Sequence, residues 1–214
     1  MSYQYKDYGW QSSEDTHVTA LLWGTLKSVL PAPRIGNRAT RVLDVGCGNG
    51  AISGRLEASD YDVTGIDLSE KGIDQARQAH PRSRFEVAAA DDRLLNVLGV
   101  EPFDVIVSTE VIEHLYDPRS FAQGCLKALN PGGLFVCSTP YHGYLKNLAL
   151  SVANKWDFHA NPLWDGGHIK LWSRKTLYAL LAESGFTNPQ FRGVGRFPLM
   201  WMSMVVSATK PMQR

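Results

Sequence analysis

Apolar residues first fall into a helical rhythm at Val18, Leu21, Leu22, Leu26 and Val29, with Thr25 on the same stripe, and Pro31 and Pro33 end it. A leading helix packed on a core is expected there. The period then shortens. RVLDVG (41–46), DVTGID (62–67), RFEVAA (84–89), FDVIVS (103–108) and LFVCST (134–139) are short β-rich runs, separated by stretches able to form helices. That alternation predicts an α/β fold with a doubly wound, mostly parallel sheet covered by helices on both faces. A helix near 173–184 and two extended runs, 187–193 and 202–209, bent apart around Gly195 and Pro198, complete the sheet at about seven strands.

Residues 144–156 carry Leu145, Leu148, Ala149, Val152 and Trp156 on one helical stripe, with Lys146, Asn147, Ser151 and Lys155 mostly elsewhere. Core packing is the ordinary use of such a stripe. A lid over a substrate, a homodimer contact and a peripheral membrane helix are its alternatives. Trp156, Trp164, Trp172, Phe158, Tyr141 and Tyr144 form an aromatic-rich region suited to wall a pocket, core packing again being the plain alternative. At the start of the chain, Tyr3, Tyr5, Tyr8 and Trp10 precede the first helix, and His17 lies near its beginning. They are expected either to cover an entrance or to be loosely held.

Composition narrows the class. The chain has 214 residues, 44% hydrophobic and 20% charged, which suits one globular domain. Its expected parts are a cap and helix (1–36), a ligand-binding core (41–140), a substrate-covering insertion (141–172) and a closing helix with strands (173–214). Lys and Arg number 22 against 21 Asp and Glu, a net charge of +1, so no nucleic-acid partner is expected and a small-molecule substrate is favoured. Cys47, Cys125 and Cys137 are odd in number and read as reduced thiols. With no signal pattern and no run long enough to span a bilayer, a cytoplasmic location is expected.

The first strand runs into DVGCGNG (44–50), whose alternate glycines Gly46, Gly48 and Gly50 let backbone approach a ligand that a Cβ would exclude. Asp67 ends the second strand, where an acid can accept hydrogen bonds from both ribose hydroxyls. Asp91 follows the third strand, placed for an adenine amino group, with Asp92 nearly as suitable. Gly46, Gly48 and Ala51 also satisfy the looser dinucleotide pattern, which keeps a nicotinamide oxidoreductase as a rival. Cys47 has no evident basic partner and is not expected to be a nucleophile.

Asp44 two residues before the first glycine makes a D-x-G-x-G-x-G run that resembles motif I of the class I S-adenosylmethionine-dependent methyltransferases. The resemblance covers 41–140, including GIDLS (65–69) and FDVIVSTEVIEHL (103–115), and extends more loosely into the C-terminal third. It implies the Rossmann-like sheet of that family. It also implies that Gly46 and Gly48 line the methionine part of S-adenosylmethionine and Asp67 its ribose, with Asp44, Asn49, Gly50, Leu68, Asp91 and Glu110 completing the candidate contacts.

STEVIEHLYDP (108–118) places Glu110, Glu113 and His114 at positions i, i+3 and i+4, one face if the stretch is helical. Downstream, STPYHGYLKN (138–147) and WDGGHIKLWSR (164–174) are placed to supply further groups, and Gly166 and Gly167 before His168 suit a loop folded back over the pocket. This E-x-x-E-H set with a distant histidine looks like the metal centre of the small-RNA 2′-O-methyltransferases. That likeness implies Glu110, Glu113, His114 and His168 as ligands of Mg, Mn or Zn. EVIEHL is also similar to the O-methyltransferases of ubiquinone biosynthesis, which act on catechol-like rings. The expected activity is therefore O-methylation of a small molecule with adjacent hydroxyls, a catechol, quinol or sugar, with Glu113, His114 and His168 as catalytic groups. The alternatives are N- or C-methylation by metal-free acid–base groups, His114 or His168 serving as base, a non-catalytic S-adenosylmethionine-binding subunit, and a purely structural role for the cluster.

Overall fold

A computed structural model describes residues 17–34, 38–164 and 167–212. The aromatic N-terminal segment and Gly166 lie outside the described residues. In chain order the elements are α1 (His17–Val29), β1 (Arg41–Val45), α2 (Ala51–Glu57), β2 (Asp62–Asp67), α3 (Glu70–Ala79), β3 (Arg84–Val87), α4 (Leu94–Leu98) and β4 (Phe103–Thr109). A single 3-10 turn, η1 (Ile112–His114), follows, then α5 (Pro118–Ala128), β5 (Leu129–Pro140), α6 (Tyr144–Val152), α7 (Trp156–His159), α8 (Arg174–Ser184), β6 (Thr187–Val194) and β7 (Ser203–Thr209).

The strands form one sheet in the order β3-β2-β1-β4-β5-β7-β6, with β7 antiparallel to both neighbours and the other pairs parallel. Central strands are buried on both faces, which is why they read as continuous apolar runs. On one face Leu43, Val45, Ile106 and Phe135 join Phe121 of α5 and Leu177 and Leu181 of α8. On the other, Val42, Val105, Val107 and Val136 meet Leu22 and Leu26 of α1 and Ile52 and Leu56 of α2. The chain order reverses between β1 and β4. The loops leaving these two strands therefore part to opposite sides and open a crevice at their carboxyl ends. Cys47, Cys125 and Cys137 are buried and unpaired.

Two segments depart from the sequence-based expectation. The turn after β4 is one 3-10 turn rather than a helix beginning at Glu110, whose backbone is left-handed at φ 55°. The amphipathic segment is not one helix packed by its apolar stripe. It ends at Val152, Asn154 takes φ 50°, and Trp156 opens a second short helix. Leu145, Leu148 and Val152 face solvent at 45%, 46% and 81% exposure, while Lys146 is the buried side chain at 4%.

Candidate functional site

The loop after β1 is shaped by glycines in left-handed conformation: Gly46 at φ 76°, Gly48 at 52° and Gly50 at 83°. At Gly46 a Cβ would also stand 2.3 Å from the Val111 side chain, so the loop and the turn after β4 close together only without one. Asp67 holds the loop from the side. The Gly48 N–H donates to its Oδ2 at 2.9 Å and the Ser69 N–H to its Oδ1 at 2.8 Å. Both oxygens face the loop from the end of β2, where a carboxylate can accept from ligand hydroxyls. Leu68 beside it is 49% exposed and able to cover a flat ring. Asn49 is buried, its Oδ1 accepting weakly from the Ala51 N–H at 3.4 Å.

Asp44 lies under this loop with no exposed surface. The Ser53 hydroxyl donates to its Oδ2 at 2.6 Å, while its Oδ1 has no hydrogen-bond partner among the described residues. Burial lifts this carboxyl to about 7; the Ser53 bond opposes the rise and the neighbouring Asp67 charge adds to it. A carboxyl raised in the fold stabilises it at low pH and loses that contribution as pH climbs from the unfolded value of 3.8 through about 7. In thermal melts of the ligand-free protein, Asp44→Asn should therefore gain on the wild type over that window, by up to about 1.4 kcal/mol per pH unit. A difference independent of pH would contradict the buried titration.

Asp91 and Asp92 are both partnered. Arg93 donates to the Asp91 Oδ2 at 2.6 Å and pulls that carboxyl below its ordinary range, and Lys127 reaches the Asp92 Oδ2 at 3.4 Å. The adenine role expected of Asp91 falls on a carboxylate already engaged by a cation.

Beyond β4 the structure brings together three of the four expected metal ligands. Glu113 is 1% exposed, and its Oε1 stands 3.9 Å from the His114 Nε2 and 4.0 Å from the His168 Nε2. These ligand atoms all lie within 4.8 Å of one another. Such separations are too long for hydrogen bonds, but groups about 2.0–2.3 Å from one ion stand about 3–4 Å apart. Neither Glu113 oxygen meets a hydrogen-bond partner at good distance and angle among the described residues; the Thr139 hydroxyl, itself unpartnered, is near enough to lower the carboxyl a little. Burial first, and then the Glu110 charge, keep the Glu113 carboxyl well above its ordinary range. The His114 Nδ1 donates to the Gly167 carbonyl at 3.1 Å, which turns Nε2 toward Glu113. The Ile169 and Lys170 N–H groups both donate to the Glu113 carbonyl at 3.0 Å, which brings the His168 loop to η1. Burial and the nearby His114 push His168 down to about 4, leaving it neutral at neutral pH.

Glu110 is not a member of this triangle. Its left-handed backbone turns it off the face that carries Glu113 and His114, and its Oε1 accepts from the Ser138 hydroxyl at 2.8 Å and the Ser203 hydroxyl at 2.7 Å. The expectation of four ligands becomes three. The aromatic wall also divides. Tyr141 packs against Trp201 at 5.2 Å and Trp172 donates to the Ile112 carbonyl at 3.3 Å, both buried, while Phe158 and Tyr144 are exposed. Trp164 stands 5.7 Å from both the His114 and the His168 rings.

Several groups the sequence did not single out adjoin the site. Lys146 on α6 donates to the Met202 carbonyl at 3.2 Å, and its burial lowers its ammonium to about 8. His142, pushed by burial to about 4, packs edge-on to His159 with ring centres 5.0 Å apart. Both histidines and the lysine follow the fifth strand without a ligand-like spacing; only the loop containing His142 was conspicuous.

A family described as a methyltransferase domain matches residues 17–190. The ubiquinone biosynthesis O-methyltransferase of Cereibacter sphaeroides (strain ATCC 17025 / ATH 2.4.3) is 31% identical over 166 residues, 75% of this chain and 66% of that protein. Its counterpart in Caulobacter sp. (strain K31) is 40% identical over 114 residues, 52% of this chain and 44% of that protein. The chain thus spans about half to two thirds of these relatives' length. Among solved structures, the S-adenosylmethionine-dependent methyltransferase from Mesorhizobium loti aligns with TM-score 0.65 at 22% identity, over 89% of this chain and 98% of that one. Magnesium protoporphyrin IX methyltransferase from Synechocystis PCC 6803, with bound SAH, aligns with TM-score 0.62 at 18% identity, over 89% and 80%. At these identities the structural likeness is one of fold.

Proposed function

Since the chain belongs to the class I S-adenosylmethionine-dependent methyltransferase family, we propose that it methylates one oxygen of a small molecule bearing neighbouring hydroxyls, with a divalent cation held by Glu113, His114 and His168. The observation that carries this reading is the buried Glu113 carboxyl, both oxygens unpartnered, facing two imidazole nitrogens at the edge where the glycine loop opens. A fold-only role gives no reason to bury an acid so unsatisfied.

The loop fits the cofactor: its glycines admit close backbone approach, Asp67 is fixed beside it by two N–H groups, and the Asp44 Oδ1 is an orphaned acceptor beneath it. S-adenosylmethionine, when bound, supplies a methyl group on a sulfonium, and a divalent cation lowers a hydroxyl pKa and chelates two adjacent oxygens. The chain supplies the rest. Gly46, Gly48 and Asp67 bind and orient the methyl donor, while Glu113, His114 and His168 present their lone pairs to one point. In the transfer the acceptor O–H and the sulfur–carbon bonds break and an oxygen–carbon bond forms, releasing a methyl ether, the thioether product and a proton. Trp164 over the two imidazoles restricts water there. Methyl transfer to catechols or sugars, followed with labelled S-adenosylmethionine, tests the reading. Transfer confined to amines or carbon acids would overturn it.

The outward stripe of α6 favours a peripheral membrane contact for the same enzyme: Leu145, Leu148 and Val152 are exposed, and no helix among the described residues is long and apolar enough to cross a membrane. The protein should sediment with anionic liposomes, and Leu148→Asp should abolish this with cofactor affinity intact. A concentration-dependent dimer without sedimentation would give the stripe to a second copy instead.

A further inference from the structure

Beside the Glu113 triangle lies a second set of groups with a different chemistry. Lys146 is 4% exposed, yet its ammonium has a single hydrogen-bond acceptor among the described residues, the Met202 carbonyl. The next residue, Ser203, donates to Glu110, so this ammonium is one residue from the hydroxyl that holds that acid away from the triangle. Arg196, exposed and at φ 48° in the bend between β6 and β7, follows Val194 by two residues, and the Val194 carbonyl accepts from the N–H of Met202, the residue whose carbonyl holds Lys146. His142 and His159 complete the group, their rings 5.0 Å apart, and the His159 Nε2 is buried without a partner. The Trp156 ring lies almost parallel to His142, at 10° and 6.4 Å.

Two cations and two imidazoles thus converge with no carboxylate within 4.0 Å of either cation among the described residues, and the nearest acid, Glu110, already accepts from two serines. An ammonium buried with one carbonyl acceptor and no counter-charge, beside a second cation, destabilises the fold. A lysine kept for packing would be better replaced by leucine or methionine. An anion reverses the balance: it can accept from the two remaining ammonium protons, from the guanidinium and from imidazole N–H groups at once.

We propose that Lys146, Arg196, His142 and His159 form a subsite for an oxyanion, carboxylate or phosphate, carried by the methyl acceptor, so that its substrate is an anionic diol. The assignment rests on the methyl-transfer reading for the word substrate, and on the geometry alone for the subsite. The diol meets Glu113, His114 and His168 while the anion is fixed at Lys146, which determines which hydroxyl faces the methyl group.

Calorimetry on protein saturated with S-adenosylhomocysteine tests it, with benzoate and inorganic phosphate as separate titrants. At least one should bind at millimolar concentration, the stronger identifying the source of the oxyanion. Lys146→Met should weaken it about tenfold or more, the loss of charge-assisted hydrogen bonds, with S-adenosylhomocysteine affinity unchanged. Should Lys146→Met fail to fold, Arg196→Gln on the exposed bend decides, with a smaller loss expected. If neither anion binds, or both variants bind as the wild type does, the subsite is refuted while the methyl-transfer reading stands. If S-adenosylhomocysteine itself fails to bind, that reading falls, and the same titrations on the free protein still decide the subsite.

Discussion

Glu113→Gln is expected to lower methyl transfer at least about a hundredfold while leaving S-adenosylmethionine affinity within about twofold. The replacement keeps shape and hydrogen-bonding capacity but removes the charge that an ion would need. Because the carboxyl is buried with at most a weak contact from the Thr139 hydroxyl to lose, the melting temperature should stay level or rise, whereas a structural acid would lower it. His168→Ala should lose a comparable factor, and the double variant should be barely worse than either, since groups acting through one ion are not additive. Excess chelator should abolish turnover without displacing S-adenosylmethionine, with Mn, Mg or Zn restoring it. Full turnover by protein shown metal-free by elemental analysis would refute the ion and leave His114 as the preferred base.

Asp67→Ala should weaken S-adenosylmethionine and S-adenosylhomocysteine by about ten- to a hundredfold. Two effects combine. Ligand hydroxyls lose a charged acceptor worth about 1.5–3 kcal/mol, and the Gly48 and Ser69 N–H groups lose the carboxylate that fixes the loop. NAD should not bind comparably to either protein. Equal affinity for NAD, or no change on substitution, would sink the assignment of the loop and revive the dinucleotide alternative offered by Gly46, Gly48 and Ala51.

The central strands were legible because burial on both faces leaves a run such as FDVIVS few polar positions, and the glycine loop because close backbone approach excludes other residues. The turn at Glu110 was not. Left-handed backbone is ordinary for glycine and asparagine but not for glutamate, so nothing in STEVIEHL announces it; it is imposed by hydrogen bonds to Ser138 and Ser203 from strands that come later. Glu113, His114 and His168 could be named because the E-x-x-E-H spacing with a distant histidine resembles a known metal centre. Their meeting depends on the Glu113 carbonyl gathering Ile169 and Lys170, a contact between backbones that side-chain pattern does not encode. The α6 stripe shows the complementary difficulty: amphipathic spacing distinguishes two faces, but a buried lysine at Lys146 reverses which of them looks inward.

The segment from Gly143 to Leu163 hangs between two backbone clamps. At its root the Tyr141 N–H donates to the Met202 carbonyl and the His142 N–H to the Trp172 carbonyl; at its return Ile169 and Lys170 are fastened to Glu113. None of those bonds depends on what the intervening residues are. The segment is thus an interchangeable cassette: grafts of other lengths and sequences between the clamps should redirect the choice of acceptor while the sheet, the glycine loop and the Glu113 triangle persist, which gives evolution and protein engineering the same point of entry.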